Sequence, residues 1–389
     1  MTRTRPEGNP GGPPVRRRES AVDRIRERVE EKAARRAAAR EEAERTARGG
    51  SAPDPGRVPP GSPSPSQLPG IHAEKPTEIP ARGWKQVVKR AWAENNADNM
   101  PIIAGGVAFF AFLAIFPALI ATISIYGLVA SPETVAEQVE SLSAQLPDSA
   151  ASLIGDQLTS ITQNSGGALS LSLLVSVLGA LWSASGGTGN VITAVNIAYD
   201  EVETRSFVKR KALALGLTLG AIVFVLVTFA LVAVVPAVLD TLPLGVVGTV
   251  LAQVVRWVLL LGVFAGSLAV LYQVAPDRDA PQLKWVSLGA IVVTIIWALV
   301  SLGFSFYVNN FGSYDKTYGT IAGVIVLMLW LYLTCYLVLL GAEINSEAEH
   351  QTAQDTTEGD PVPMGQRNAT MADELPDPPE PTKESTQKA

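Results

Sequence analysis

A chain of 389 residues would suffice for two or three soluble domains, but only 17% of its residues are charged and 47% are hydrophobic, whereas soluble domains carry about 25% charged residues. The charge is also segregated, with net +8 over residues 1–90, −7 over 91–346 and −7 over 347–389. A single cysteine, Cys335, excludes an internal disulfide and a multi-cysteine metal site.

Residues 1–80 read as a cytoplasmic arm. They contain no apolar stretch of signal-peptide type, so the first apolar run is expected to act as an uncleaved insertion signal. Residues 21–48 are a strong, highly charged helix sequence in which Glu31/Arg35, Glu41/Arg45 and Glu44/Arg48 stand at i,i+4 in the favourable order. It reads as a solvated helix, with a membrane-surface or partner helix as the alternative. The Pro/Gly/Ser stretch 49–70 reads as a linker.

Residues 81–348 form the apolar body. A hydrocarbon core of about 30 Å needs about 20 apolar residues as helix. Six stretches meet that length, at 103–129, 168–198, 212–238, 255–275, 284–308 and 318–342. The fold class is therefore an all-α integral membrane protein with six transmembrane helices. Lys and Arg near the span ends set the orientation. Arg82, Lys85, Lys89, Arg90, Arg205, Lys209, Arg210, Lys211, Arg278 and Lys284 fall on one side, and only Lys316 on the other. Both termini are thus expected in the cytoplasm. In the first outer loop, Val135, Val139, Leu142 and Leu146, then Leu153, Ile154, Leu158 and Ile161, predict two short amphipathic helices. Phe311, Tyr314 and Tyr318 read as an outer aromatic belt. Residues 349–389 are polar, acidic and proline-containing, and read as a disordered cytoplasmic tail.

The second span is unusual. Its centre, "LWSASGGTGNV", is small and polar within a run, Gln157 to Tyr199, that has nothing ionisable near neutral pH. Helical spacing puts Ser183, Gly187, Asn190 and Thr193 on one face, and Ser185, Gly189 and Asn196 on another. Such a surface gains nothing by facing lipid, so this helix is expected at the centre of the bundle. Two readings stay open: close helix packing through small residues, or a polar path for a substrate. No phosphate-loop pattern is present.

Three charged residues stand out. Arg256 is either deep in the fourth span, if that helix starts near Val246, or an interfacial anchor with Trp257, if it starts near Val255. Glu343, at the end of the sixth span, is expected either to pair with Arg205, Lys209 or Arg210, or to gate or carry a proton. Asp98 is expected to cap the start of the first span. Gly319 and Gly323 form a small-residue pair of helix-contact type.

The stretches "IIAGGVAFFAFLAIFPALIA", "WSASGGTGNVITAVNIAYDEVETRSFVKRKA", "LYQVAPDR" and "NNFGSYDKTYGTIAGVIVLMLWLYLTCYLVLLGAEINSE" together resemble the YihY/BrkB family of bacterial inner-membrane proteins, over about residues 84–350. The resemblance implies a multi-pass protein of the bacterial plasma membrane associated with envelope integrity, with lipid or solute transport as the proposed activity. An old ribonuclease BN label for this family is a misassignment. Relatives often carry Lys or Arg in the turn after "WSAS", where this chain has Gly186, Gly187 and Thr188.

Three function classes follow. The first is a transporter or lipid-translocating protein, with membrane lipids and an anionic lipid or organic anion as partners. The second is a non-transporting envelope-integrity or assembly scaffold with protein partners in the envelope. The third, a ribonuclease, needs clustered carboxylates or histidines around metal ions. His72 and His350 both lie outside the apolar body. The chain is therefore expected to be no enzyme and to bind no metal, no cofactor and no specific nucleic acid.

Overall fold

The computed structural model describes residues 64–129, 171–311 and 321–376, apart from positions 65, 240, 242 and 244. All fall in the compact unit Pro53–Ala389. The helix read at 21–48, the amphipathic pair of the first outer loop, and the aromatic belt lie outside what is described.

The described elements are helical, beside one isolated backbone bridge between Pro281 and Thr357. In chain order they are α1 (Ala81–Ala97), α2 (Met100–Val129), α3 (Leu171–Ala198), α4 (Phe207–Phe229), α5 (Gly245–Val274), α6 (Leu283–Phe311), α7 (Ile321–Glu349) and the short α8 (Thr370–Asp373). Helix α4 runs on through a π turn, Ala230–Val234, into Val235–Leu239. The π turn directly precedes Pro236, whose missing N–H and bulky ring an unmodified α-helix would not accommodate. Pro117 sits inside α2 without ending it. Stretches within α2, α4, α5, α6 and α7 are long and apolar enough to cross a membrane.

Asp98 is not the cap expected of it. It is the C-cap residue of α1. The N-cap position of α2 falls to Asn99, whose carbonyl accepts from Ile102 and Ile103 at 2.8 and 3.2 Å. Asn99 has φ +56°, a left-handed conformation that asparagine tolerates. That one residue turns the chain from α1 into α2.

The bundle packs α2 against α3 and α7, α6 against α5 and α7, α4 against α3, and α1 along α7. Its core is built largely from small or β-branched residues, among them Ala104 and Val107 of α2, Ile192 and Val195 of α3, Ala290 and Val293 of α6, and Ala342 of α7. Large apolar side chains point outward instead: Val246, Val258, Leu302 and Phe306 are all exposed. A water-soluble protein would not present so continuous an apolar exterior. Close approach is most severe between α6 and its neighbours. A Cβ on Gly289 would collide with Asn345, and one on Gly341 with Val293 and Tyr272. A Cβ on Gly323 would meet nothing within 4 Å; its expected pair partner, Gly319, lies outside the described residues.

Two expectations about the termini are corrected. Part of the arm and most of the acidic tail are built into one end of the bundle. Leu68, Ile71 and Ala353 share a small core flanked by Met364 and Leu375. The Ile71 carbonyl accepts from Ala353 N at 2.7 Å, and Gln351 Nε2 donates to Pro69 O at 2.9 Å. Arg367 is fully buried and donates to four carbonyls, those of Val362, Gln354, Ala372 and Ala353. Composition argued for disorder, but each half supplies only a few apolar residues and the pair completes them. The connections 199–206 and 275–282 meet the same end.

Candidate functional site

Helix α3 divides its small-polar residues among three tasks. The first is contact. Gly187 is buried, and a Cβ built there would lie 2.8 Å from Ala114 Cβ and 3.2 Å from Phe110 O of α2. Ser185, also buried, turns its Oγ back to the Trp182 carbonyl at 2.7 Å. This is the packing use of small residues.

The second group is more open than Gly187 and Ser185. Ser183 and Thr193 are exposed, Gly189 and Asn190 half-buried. Asn190 Nδ2 and Thr193 Oγ1 donate to carbonyls one turn back, Gly186 O and Gly189 O, both at 3.0 Å. A Cβ on Gly189 would meet nothing within 4 Å. Two cations from the first turn of α4 lie on this surface. Arg210 Nη2 donates to Thr193 Oγ1 at 2.6 Å and to Gly189 O at 3.3 Å. Lys211 Nζ donates to Trp182 O at 3.0 Å and stands 4.2 Å from the centre of the Trp182 ring. Deeper along the helix pair, Thr188 and Thr218 share a hydroxyl hydrogen bond of 2.8 Å. Arg210, Lys211 and Thr218 were not among the expected site residues.

Asn196 is the third case. It is buried and joins two connections, accepting from Asp277 N at 2.7 Å and donating to Glu203 at 3.1 Å. Glu203 in turn chelates Arg205 at 2.7 and 2.8 Å. Burial pushes the Glu203 carboxyl up, but Arg205 outweighs it and holds it below the usual carboxylate value. Asn196 thus belongs to a structural clasp and not to the open face, so the seven residues do not act as one surface.

The charged candidates also resolve. Helix α5 starts at Gly245, ten residues before the expected 255. Arg256 therefore lies eleven residues into the helix, about 16 Å along its axis. Its guanidinium centre is 5.6 Å from the Trp257 ring. Its Nε has no hydrogen-bond partner among the described residues. Glu343 does not close α7, which continues to Glu349. Nor does it pair with Arg205 or Arg210, which bind Glu203 and α3; its Oε1 has no hydrogen-bond partner among the described residues. The acids that do find bases are further on: Glu347 with Arg90, and Glu349 with Arg278 at 2.7 Å, the second pair wholly out of solvent.

Comparison with known proteins agrees with this architecture. Residues 91–364 match the family described as virulence factor BrkB. A Bacillus subtilis protein named as ribonuclease-like, YfkH, is 37% identical over 251 residues, covering 62% of this chain and 86% of its own. UPF0761 membrane proteins match over shorter stretches: one from Alteromonas mediterranea is 42% identical over 21% of this chain and 31% of its own. One from Vibrio vulnificus is 32% identical over 30% of this chain and 37% of its own. No solved structure matches. Apolar helices of membrane length and a family match over residues 91–364 lead to one conclusion: the chain is a multi-pass bacterial membrane protein and belongs to the BrkB family.

Proposed function

We propose that this protein crosses the membrane six times with both termini in the cytoplasm, and that it translocates an anionic lipid or organic anion along α3 in support of envelope integrity. The observation that carries the reading is the seating of Arg210 and Lys211 on the open polar face of α3. Their close partners are carbonyls, a hydroxyl and a ring; the nearest carboxylate contact of Arg210, to Glu203, is a long 4.0 Å. Cations placed so within an apolar bundle favour an anion beside them. The polar atoms of α3 give its headgroup a track that lipid tails cannot use. The nuclease word in the name of YfkH is not carried over, and the reading assigns no hydrolytic step.

Proteoliposomes test this directly, with a fluorescent phospholipid for scrambling and a loaded organic anion for flux. Arg210→Gln combined with Lys211→Gln is expected to slow transfer at least tenfold while the purified protein keeps its fold. Equal rates in wild type, double variant and protein-free vesicles overturn the transport reading. Orientation is tested by cysteines at Ser141 and Asp240, expected to react with an impermeant thiol reagent in intact cells, and at Ser206, expected not to.

A scaffold without transport is the second reading, and the Gly187 seam favours it, since a bundle held by a backbone contact this close is built to be stiff. It gains if Ser183→Ala and Asn190→Ala remain fully active and only Gly187→Leu misfolds.

A further inference from the structure

Helices α1 and α7 run antiparallel, and their seam is laddered four residues at a time. Gln86 Oε1 accepts from Gln351 Nε2 at 2.9 Å. One step on, Arg90 holds Glu347. The next step of four brings Glu94 and Asn95 level with Glu343. Asn95 lies on the buried stripe of α1, with Gly83, Val87 and Ala91. Glu343 and Ser346 share a face of α7 at i,i+3.

Glu343 is buried, and the carboxylates of Asp98, Asp200, Glu347 and Glu94 act on it. This third rung has three buried oxygens with no hydrogen-bond partner among the described residues: Glu343 Oε1, Asn95 Oδ1 and Ser346 Oγ. These residues are 2%, 1% and 0% exposed. Buried polar atoms are nearly always partnered, so three orphans from both sides of one seam mark the place of something small. Their chemistry limits what it is. Oxygen donors in a negative field suit a hard cation. The three orphaned oxygens, one from a carboxylate and two neutral, balance a single positive charge. Among the described residues no group of three or more His, Cys, Asp or Glu is placed to hold a metal ion, which argues against a divalent site.

We infer that Glu343, Asn95 and Ser346 form a binding site for a monovalent inorganic cation of the sodium class. The bound ion takes the position that Arg90 fills one rung away and pins α1 to α7. Because α1 turns directly into α2, it also sets the position of the helix that Gly187 touches. The site does not depend on the transport reading.

The test uses the full-length protein in detergent at fixed pH and ionic strength, with sodium chloride titrated against choline chloride. A ligand that binds the folded state raises the thermal midpoint in a saturable way. Wild type is expected to show that rise with sodium and not with choline. Glu343→Gln, which keeps the side-chain shape, is expected to abolish it. Ser346→Ala is expected to move half-saturation at least tenfold higher, and carries the test should the Gln variant fail to fold. The same midpoint in both salts overturns the proposal and leaves a buried water in the seam. So does a sodium effect that survives both variants, or a midpoint that follows pH and ignores sodium. Sodium binding without any lipid or anion flux would leave this site standing and sink only the transport reading.

Discussion

Gly187 gives the sharpest structural prediction. Its Cβ position lies 2.8 Å from Ala114 Cβ, while non-bonded carbons rest at about 3.5–4.0 Å. Gly187→Ala therefore requires α2 to withdraw by roughly 0.7 Å, and a gap of that size forfeits about a quarter to a half of the dispersion attraction along the opened contact. Gly187→Leu adds three further carbons, and overpacking costs about 1–3 kcal/mol. At about 2–4 °C per kcal/mol, the alanine variant should melt about 2–4 °C below wild type and the leucine variant about 6–12 °C below. Asn190→Ala is the control. It removes one bond within its own helix and puts a better helix former in place, a change within about 0.5 kcal/mol. Thermal unfolding of the three purified variants in one detergent is the assay. A Gly187→Leu midpoint within about 1 °C of wild type would refute the close α2–α3 approach.

The remaining predictions concern the capped end. Deleting residues 1–63 should leave the midpoint unchanged, whereas deletion through residue 80 removes Leu68, Ile71 and Ile79 from buried positions, each worth about 1.5–3 kcal/mol, and should lower it by many degrees; equal midpoints would show that the arm does not dock. Arg278→Ala leaves Glu349 and its bond from Thr356 in a site without solvent, a loss of about 3–5 kcal/mol, read as a lower midpoint or poor yield against Glu349→Gln. Glu203, held low in the fold by Arg205, contributes stability that is present above its unfolded value and lost as pH falls through the folded one. The thermal midpoint should therefore fall as pH drops below the usual carboxylate range, and Glu203→Gln, less stable at pH 7, should lose less on acidification.

The helices themselves were legible because apolar runs of membrane length have few alternatives, and all six long helices overlap the stretches read for them. What composition could not show was the fate of 64–80 and 349–376. "EHQTAQDTTEGDPVPMGQRN" has the charge and proline of a disordered tail. Its order comes from partners nearly three hundred residues away, such as Thr352 Oγ1 on Ala73 O at 2.8 Å. Local pattern carries no trace of such contacts. Gly289 and Gly341 were missed for a related reason: a lone glycine in an apolar helix looks the same whether it is exposed, as Gly262 is, or meets another side chain.

The errors at the charged residues share one physical origin, which is that an apolar run is not the same object as the helix that contains it. Hydropathy started the fourth span at Val255, beside Arg256, but the helix reaches back to Gly245 because valine, threonine and glutamine sustain it before any charge appears. It ended the sixth span at Ala342, but α7 continues for two turns because "EINSEAE" can dock on α1. It placed Arg210 and Lys211 in a loop, where they oriented the chain and Arg210 was an expected partner of Glu343. Helix α4 begins at Phe207, so both sit in its first turn beside α3. Long aliphatic stems let Arg and Lys carry a charge several ångströms from their own backbone, and here they carry it onto Thr193 and Trp182. The polar centre of α3 thus has charged company that comes from a segment counted as outside the membrane. The search for charge in a membrane protein has to extend one side-chain length beyond each apolar run.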